Sequence, residues 1–220
     1  MEKLWYKLDL NQTGALRDDL DLSFVAGPTP TEEWVWGLEG DDILTVFNED
    51  WLNYMESKKC RPYSVIICYK PPNYRDNIHV DKLPTHAIVE NKFRHYTINF
   101  IGNPGYMTGD GANKKYKNWK DTGTMRWYNT LPEDRTLCTD RTLDFEYELI
   151  RIPESSRVTE LDRVNFDRGG LYLANTLTAH GIVTKDQPRL SFSLRGCLGD
   201  GTASWEDTVK HFKNIGLIID

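Results

Sequence analysis

A mainly β fold, a sandwich or barrel with helices at its margins, is what this sequence predicts. Short alternating or β-branched stretches recur between Gly, Pro and Asn punctuation, while helical periodicity is confined to two places. Successive strands are not separated by helices, as a doubly wound α/β fold would require. The 220 residues suffice for one domain with a sizeable core. The expected organisation is a single domain over 1–220. Its core lies at about 60–200, with a strand and helix region at 1–59 and a C-terminal helix at about 204–215.

The elements follow from local pattern. Near the N-terminus Tyr6, Leu8 and Leu10 alternate with Trp5, Lys7 and Asp9, which is the period of a strand. Within 42–58, Leu44, Phe47, Trp51, Leu52 and Met55 recur at helical spacing behind acidic first-turn residues. Strand signals follow at 63–69, 96–100, 124–128, 143–150, 170–174 and 189–195. Pro71-Pro72-Asn73, Gly102-Asn103-Pro104-Gly105 and Gly169-Gly170 mark turns between them. Ser204-Trp205-Glu206-Asp207 resembles a capping box ahead of a Trp205, Val209, Phe212 stripe. A long polar insertion occupies 102–123, and within it residues 113–120 interleave lysines with aromatics. It reads as a solvated loop, with a substrate-contacting lid as the alternative.

Composition narrows the function classes. Hydrophobic and charged fractions of 39% and 27% are ordinary for a soluble globular protein. A net charge of −6 speaks against general affinity for nucleic acid or anionic membranes. Residues 1–7 contain no apolar signal region, and no stretch approaches transmembrane length. Cys60, Cys68, Cys138 and Cys197 lack finger-like spacing and are expected as reduced, buried thiols. The expectation is a soluble, cytoplasmic protein.

The chemistry-bearing residues are few. His79-Val80-Asp81 is an H-x-D, and residues two apart on a strand share a face, so an imidazole and a carboxylate would point to one place. His180 stands alone far downstream. Two imidazoles and one carboxylate make up the facial triad of non-haem Fe(II) sites, which leaves the opposite metal positions open. An H-x-D also arises by chance, and a lone histidine after an apolar strand also serves as a core residue. The residues beyond His180 favour the site. Arg189, Ser191, Ser193 and Arg195 fall on one strand face, while Leu190, Phe192 and Leu194 fall on the other. An exposed edge strand would give the same alternation. Two arginines with hydroxyls between them also suit a buried carboxylate.

On His79-Val80-Asp81, His180 and Arg189-x-Ser191 at this spacing, the chain resembles the Fe(II)/2-oxoglutarate-dependent oxygenases of the cupin superfamily. The likeness extends loosely over 63–195. It implies a double-stranded β-helix, or jelly-roll, with flanking helices. It further implies Fe(II) ligated by His79, Asp81 and His180, and 2-oxoglutarate with its far carboxylate at Arg189 and Ser191 and with Tyr69 nearby. The implied reaction consumes O2 and hydroxylates a C–H bond, with succinate and carbon dioxide as co-products. Asp81 stands where related halogenases carry a small residue, which favours hydroxylation.

Arg195 is the alternative clamp. The expected substrate is a small amino-acid-like molecule or a peptidyl residue, and Asn99, Arg126, Trp127 and Arg195 are candidate contacts. Two other readings stay open. One is a nucleic-acid oxidative demethylase, although the asparagine of its R-x-N-x-T-x-R strand is missing between Arg189 and Arg195. The other is a cupin-like module that binds a metal without redox chemistry. His86, His95 and His211 have no partner at ligand spacing.

Overall fold

The computed structural model describes residues 3–9, 15–17, 19–22, 32–81, 96–102, 123–131, 133, 135–142, 145–166, 170–198 and 204–218. The first strands are β1 (Trp5–Lys7), β2 (Trp34–Glu39), β3 (Cys60–Lys70) and β4 (His79–Asp81). They are followed by β5 (Tyr96–Gly102), β6 (Thr124–Asn129), β7 (Thr136–Thr142) and β8 (Phe145–Arg151). The last are β9 (Thr159–Asn165), β10 (Leu171–Ala174), β11 (His180–Val183) and β12 (Arg189–Leu198). Among the described residues two α-helices, α1 (Glu49–Ser57) and α2 (Trp205–Asn214), flank them.

The strands form two antiparallel sheets. The first runs β1-β10-β5-β12-β3-β2 and the second β7-β8-β4-β11-β6-β9. From β3 to β6 and again from β9 to β12 the chain crosses between the sheets, while β6 to β9 stay in the second. Two packed antiparallel sheets of this kind are the jelly-roll that the resemblance implies. No helix among the described residues is long and apolar enough to cross a membrane.

The alternation of β12 divides the molecule. Leu190, Phe192 and Leu194 are fully buried on one face, in a cluster with Val65, Ile67, Ile98 and Phe100 of the same sheet. Helix residues Trp51, Met55, Val209 and Phe212 close that cluster from outside. Each such side chain contributes roughly 1.5–3 kcal/mol on burial. Ring packing fixes the fit: Phe47 and Trp51 meet Phe100 at centroid distances of 4.9 and 5.3 Å, and Tyr96 meets Phe212 at 5.4 Å. Between the sheets lies a second apolar cluster built on Ile101, Met125, Trp127, Val164, Phe166 and Tyr172. Beside it the same inner space turns polar.

The helix expected within 42–58 is present as α1, but its stripe does not run unbroken, since Leu44 falls in a separate 3-10 segment, Gly40–Thr45. Strand-like pairing interrupts it: the Arg17 N–H donates to the Val46 carbonyl and the Asn48 N–H to the Ala15 carbonyl, both at 2.9 Å. Asn48 then caps α1 by accepting from the Asp50 N–H. Strands β2, β7 and β9 carry no strand signal in the sequence reading. All three are sheet edges. Partial exposure dilutes the apolar alternation in β9, whereas in β2, with Trp34, Val35 and Leu38 buried, Gly37 interrupts a short run. At the other end, Ser204 and Asp207 form the expected capping box of α2. The insertion at 103–122, with its basic and aromatic run, lies outside the described residues, as do His86 and His95.

Gly196 follows a register shift in β12, directly against Tyr96. A Cβ there would come within 2.0 Å of the Tyr96 hydroxyl oxygen and 2.7 Å of the Arg61 carbonyl. Overpacking of this kind costs about 1–3 kcal/mol. Gly196→Ala is therefore expected to lower the urea midpoint by a corresponding amount, and an unchanged midpoint would contradict this packing.

Candidate metal centre

Strand β4 is only three residues long, but its period suffices to set two donors on one face. His79 and Asp81 turn towards the space between the sheets. Val80 turns the other way, into a small cluster with Ile152 and Ala179. β11 is the neighbour of β4 in its sheet, and His180 is the direct antiparallel partner of His79. Their rings lie 4.5 Å apart, centroid to centroid. The candidate ligand atoms of His79, Asp81 and His180 all fall within 4.8 Å of one another.

Each imidazole is oriented by its own backbone. His79 Nδ1 lies 2.8 Å from the Asn77 carbonyl, and His180 Nδ1 lies 2.9 Å from the Thr178 carbonyl. A carbonyl only accepts, so both Nδ1 atoms carry the proton in the neutral rings, and both Nε2 lone pairs are left as donors to a metal. The Asp81 N–H donates to the Thr176 carbonyl at 3.1 Å, which ties down the third donor. Burial, with His79 close by, pushes His180 down to about 4 despite the opposing effect of Asp81. At neutral pH it is therefore uncharged, as a metal ligand must be. Two fixed imidazoles and a carboxylate fit a first-row divalent metal with open positions.

The triad opens on a cleft of about 840 Å³, the space at its mouth included. Asn99, Ser191, Ser193 and Arg195 of the first sheet line its floor. Asn99 and Ser191 are 8% and 4% exposed, and their side chains make no hydrogen bond among the described residues. Arg195 Nη2 lies 3.4 Å from Asp81 Oδ2, so a floor residue touches a metal-ligand candidate. Another part of the lining is an ion cluster. Lys70, 4% exposed, pairs with Glu33 and, at 3.3 Å, with Asp76, while the Tyr74 hydroxyl donates to Glu33. Burial alone would lower the Lys70 pKa, but Asp76 and Glu33 outweigh it and hold the ammonium charged.

The sequence-predicted residues divide accordingly. His79, Asp81 and His180 come together, and Asn99, Ser191 and Arg195 line the same cleft. Tyr69 does not: Cys68 and Lys70 face the cleft, so Tyr69 between them faces the outer core, where it is 3% exposed. Its expected place beside the co-substrate is corrected. Trp127 is fully buried between the sheets, with its indole N–H donating to the Asn175 carbonyl at 2.8 Å. Arg126 faces away and pairs with Glu160 at 3.2 Å. Neither lines the cleft, so both expected substrate contacts are corrected as well. Arg189 lies beyond the floor at the start of β12, with its guanidinium 3.9 Å above the Phe166 ring. His211 is structural, bonded to the Lys58 carbonyl beside Cys60.

Sequence reasoning missed Glu33, Lys70, Tyr74, Asp76 and Arg151 as cleft residues. Lys70 was detectable, since a charge continuing the inward period of an apolar strand needs partners. Cys60, Cys68 and Cys197 are free thiols, and burial raises Cys60 to about 12 and Cys68 to about 11.

No family model matches the chain, and no curated protein matches it. Among solved structures it is similar to a Pseudomonas putida prolyl-4-hydroxylase, at 11% identity and a TM-score of 0.38. The match covers 89% of this chain and 92% of that one. A likeness this distant assigns no activity.

The buried state of His180 sets an acid limit on the metal-free protein. Its ring titrates at about 4 in the folded chain, against an ordinary value of 6.5, so unfolding takes up a proton at intermediate pH. The resulting stability is whole above about pH 6.5 and is lost as pH falls towards 4, a change of about 3 kcal/mol. Melting temperatures are expected to drop across that window and to flatten in His180→Gln. A variant that keeps the wild-type slope would show that another group is responsible.

Proposed function

We propose that the chain is an Fe(II)- and 2-oxoglutarate-dependent dioxygenase that hydroxylates a C–H bond of a small amino-acid-like molecule or a peptidyl residue. The carrying observation is the convergence of His79, Asp81 and His180 at the mouth of a polar cleft, with both histidines oriented to offer Nε2. Those three residues would hold the metal. The chemistry such a centre supplies is oxidation by O2 coupled to decarboxylation of 2-oxoglutarate to succinate and carbon dioxide.

The protein's own part is binding and orientation. Among the described lining residues, Glu33, Asp76 and Asp81 balance Lys70, Arg151 and Arg195, with His180 neutral. A divalent cation added to a balanced cleft leaves an excess that a dicarboxylate offsets. Arg195 restrains Asp81 and faces the metal end of the co-substrate. Ser193 and Ser191 follow along the same strand face, and Arg189 stands at its far end. We assign Arg189 with Ser191 to the distal carboxylate, which Arg meets in bidentate fashion. Asn99 is a further open hydrogen-bonding group on the floor, beside Ser193, and is the substrate contact we retain.

Anaerobic addition of 2-oxoglutarate to the Fe(II) protein is expected to produce a metal-to-ligand charge-transfer band. Bound iron without that band would sink the co-substrate assignment. His79→Ala and Asp81→Ala are expected to lose iron binding and succinate formation together. Arg189→Met is expected to keep iron but to weaken 2-oxoglutarate binding about tenfold or more, the loss of a charge-assisted pair. Unchanged affinity in that variant would move the clamp to Arg195.

A further inference from the structure

β4 is held by β8 over three register pairs and by β11 over one, and the chain that leads into His79 is anchored by further contacts of its own. On one side that segment is bound to β11 and its extension. The Asp76 N–H donates to the Ile182 carbonyl at 2.8 Å, Tyr74 and Thr184 exchange bonds of 2.9 Å, and the Thr184 hydroxyl donates to the Pro71 carbonyl at 2.6 Å. On the other side the contact is ionic. Lys70, at the end of β3 in the opposite sheet, reaches the Asp76 carboxylate at 3.3 Å and also meets Glu33 at the start of the β2 wall. Its ammonium lies 4.8 Å from the centre of the Tyr74 ring. Asp76 immediately precedes Asn77, whose carbonyl holds His79 Nδ1.

We propose that the Lys70–Asp76 ion pair positions the metal centre, fixing the Asn77 carbonyl that sets the orientation and tautomer of His79. This rests on the metal-site reading above. Lys70 and Asp76 do not ligate; they act through the backbone of residues 76–77. Partners one step removed from a metal ligand affect affinity because a misaligned imidazole must be reoriented before it can bind. The pair spans both sheets at the cleft. It therefore also couples the spacing of the sheets to the aim of a ligand.

The test uses Co(II) as the probe on the full chain. Asp76→Asn is nearly isosteric and leaves the Lys70–Glu33 pair in place, while Lys70→Met removes both ionic contacts. Both variants are expected to bind Co(II) about 10-fold or more weakly than wild type. Both should also show an altered visible ligand-field spectrum, and Asp76→Asn should melt close to wild type without metal. Should Lys70→Met fail to fold, Asp76→Asn decides alone. Wild-type Co(II) affinity and spectrum in Asp76→Asn would overturn the positioning role, even if its melting temperature fell. Failure of the wild-type protein to bind Co(II) would instead overturn the metal-site reading itself.

Discussion

The direct antiparallel pairing of His180 with His79 is the constraint on which the site depends. Opposed residues in such a ladder have Cβ atoms about 4.5–5.5 Å apart, close enough for two imidazoles to share one cation. The two-residue period of β4 then delivers Asp81 to the same place without further machinery. The jelly-roll winding makes this possible by passing the chain between sheets, so that two short strands far apart in sequence become neighbours. A shift of one residue in either strand would turn its donors to the opposite face.

Polar residues inside a sandwich need a reason, because burial without partners is costly. Here the cost is confined by geometry. Along the inner space the apolar cluster around Trp127 and Phe166 closes one part, and the charged and hydroxyl groups are gathered in the other. Among the described residues, the carboxylates and cations of the cleft are matched in number, and Lys70 and Arg195 are held in contact with its carboxylates. Asn99 and Ser191 differ in kind, since none of the described residues answers the hydrogen-bonding capacity of their side chains. In the proposed function they belong to the surface that meets a ligand.

Much of this was legible in the sequence, because both key signals are local. The H-x-D and the split faces of 189–195 each express strand periodicity, and periodicity survives without knowledge of register. What depends on parity relative to an unknown reference does not survive. The family resemblance implies an inward Tyr69, but the turn at 71–73 and the segment after it separate the two strands, and Cys68 and Lys70 hold the inward positions. Arg126 and Trp127 show the same difficulty: both sit on β6, yet Arg126 faces outward and Trp127 belongs to the apolar part of the interior. The edge strands were hidden for a different reason: partial exposure along β9 erases the pattern that marks a strand, and β2 is a short run broken by Gly37. Glu33 enters the site through β2 and was hidden with it.

Both borders of the first sheet are supplied by the N-terminal part of the chain, β1 on one side and β2 on the other. β2 pairs with β3, its neighbour in sequence, whereas β1 waits for β10; the Leu4 N–H even reaches Asp162 in β9, 158 residues away. During synthesis one border can therefore close early, while the other must await most of the chain. Long-range closure of this kind is slow to form. Until it is made, β10 presents an unpaired row of backbone donors and acceptors, a template for association between copies. Refolding yield for this protein should accordingly be governed by chain concentration as well as by stability.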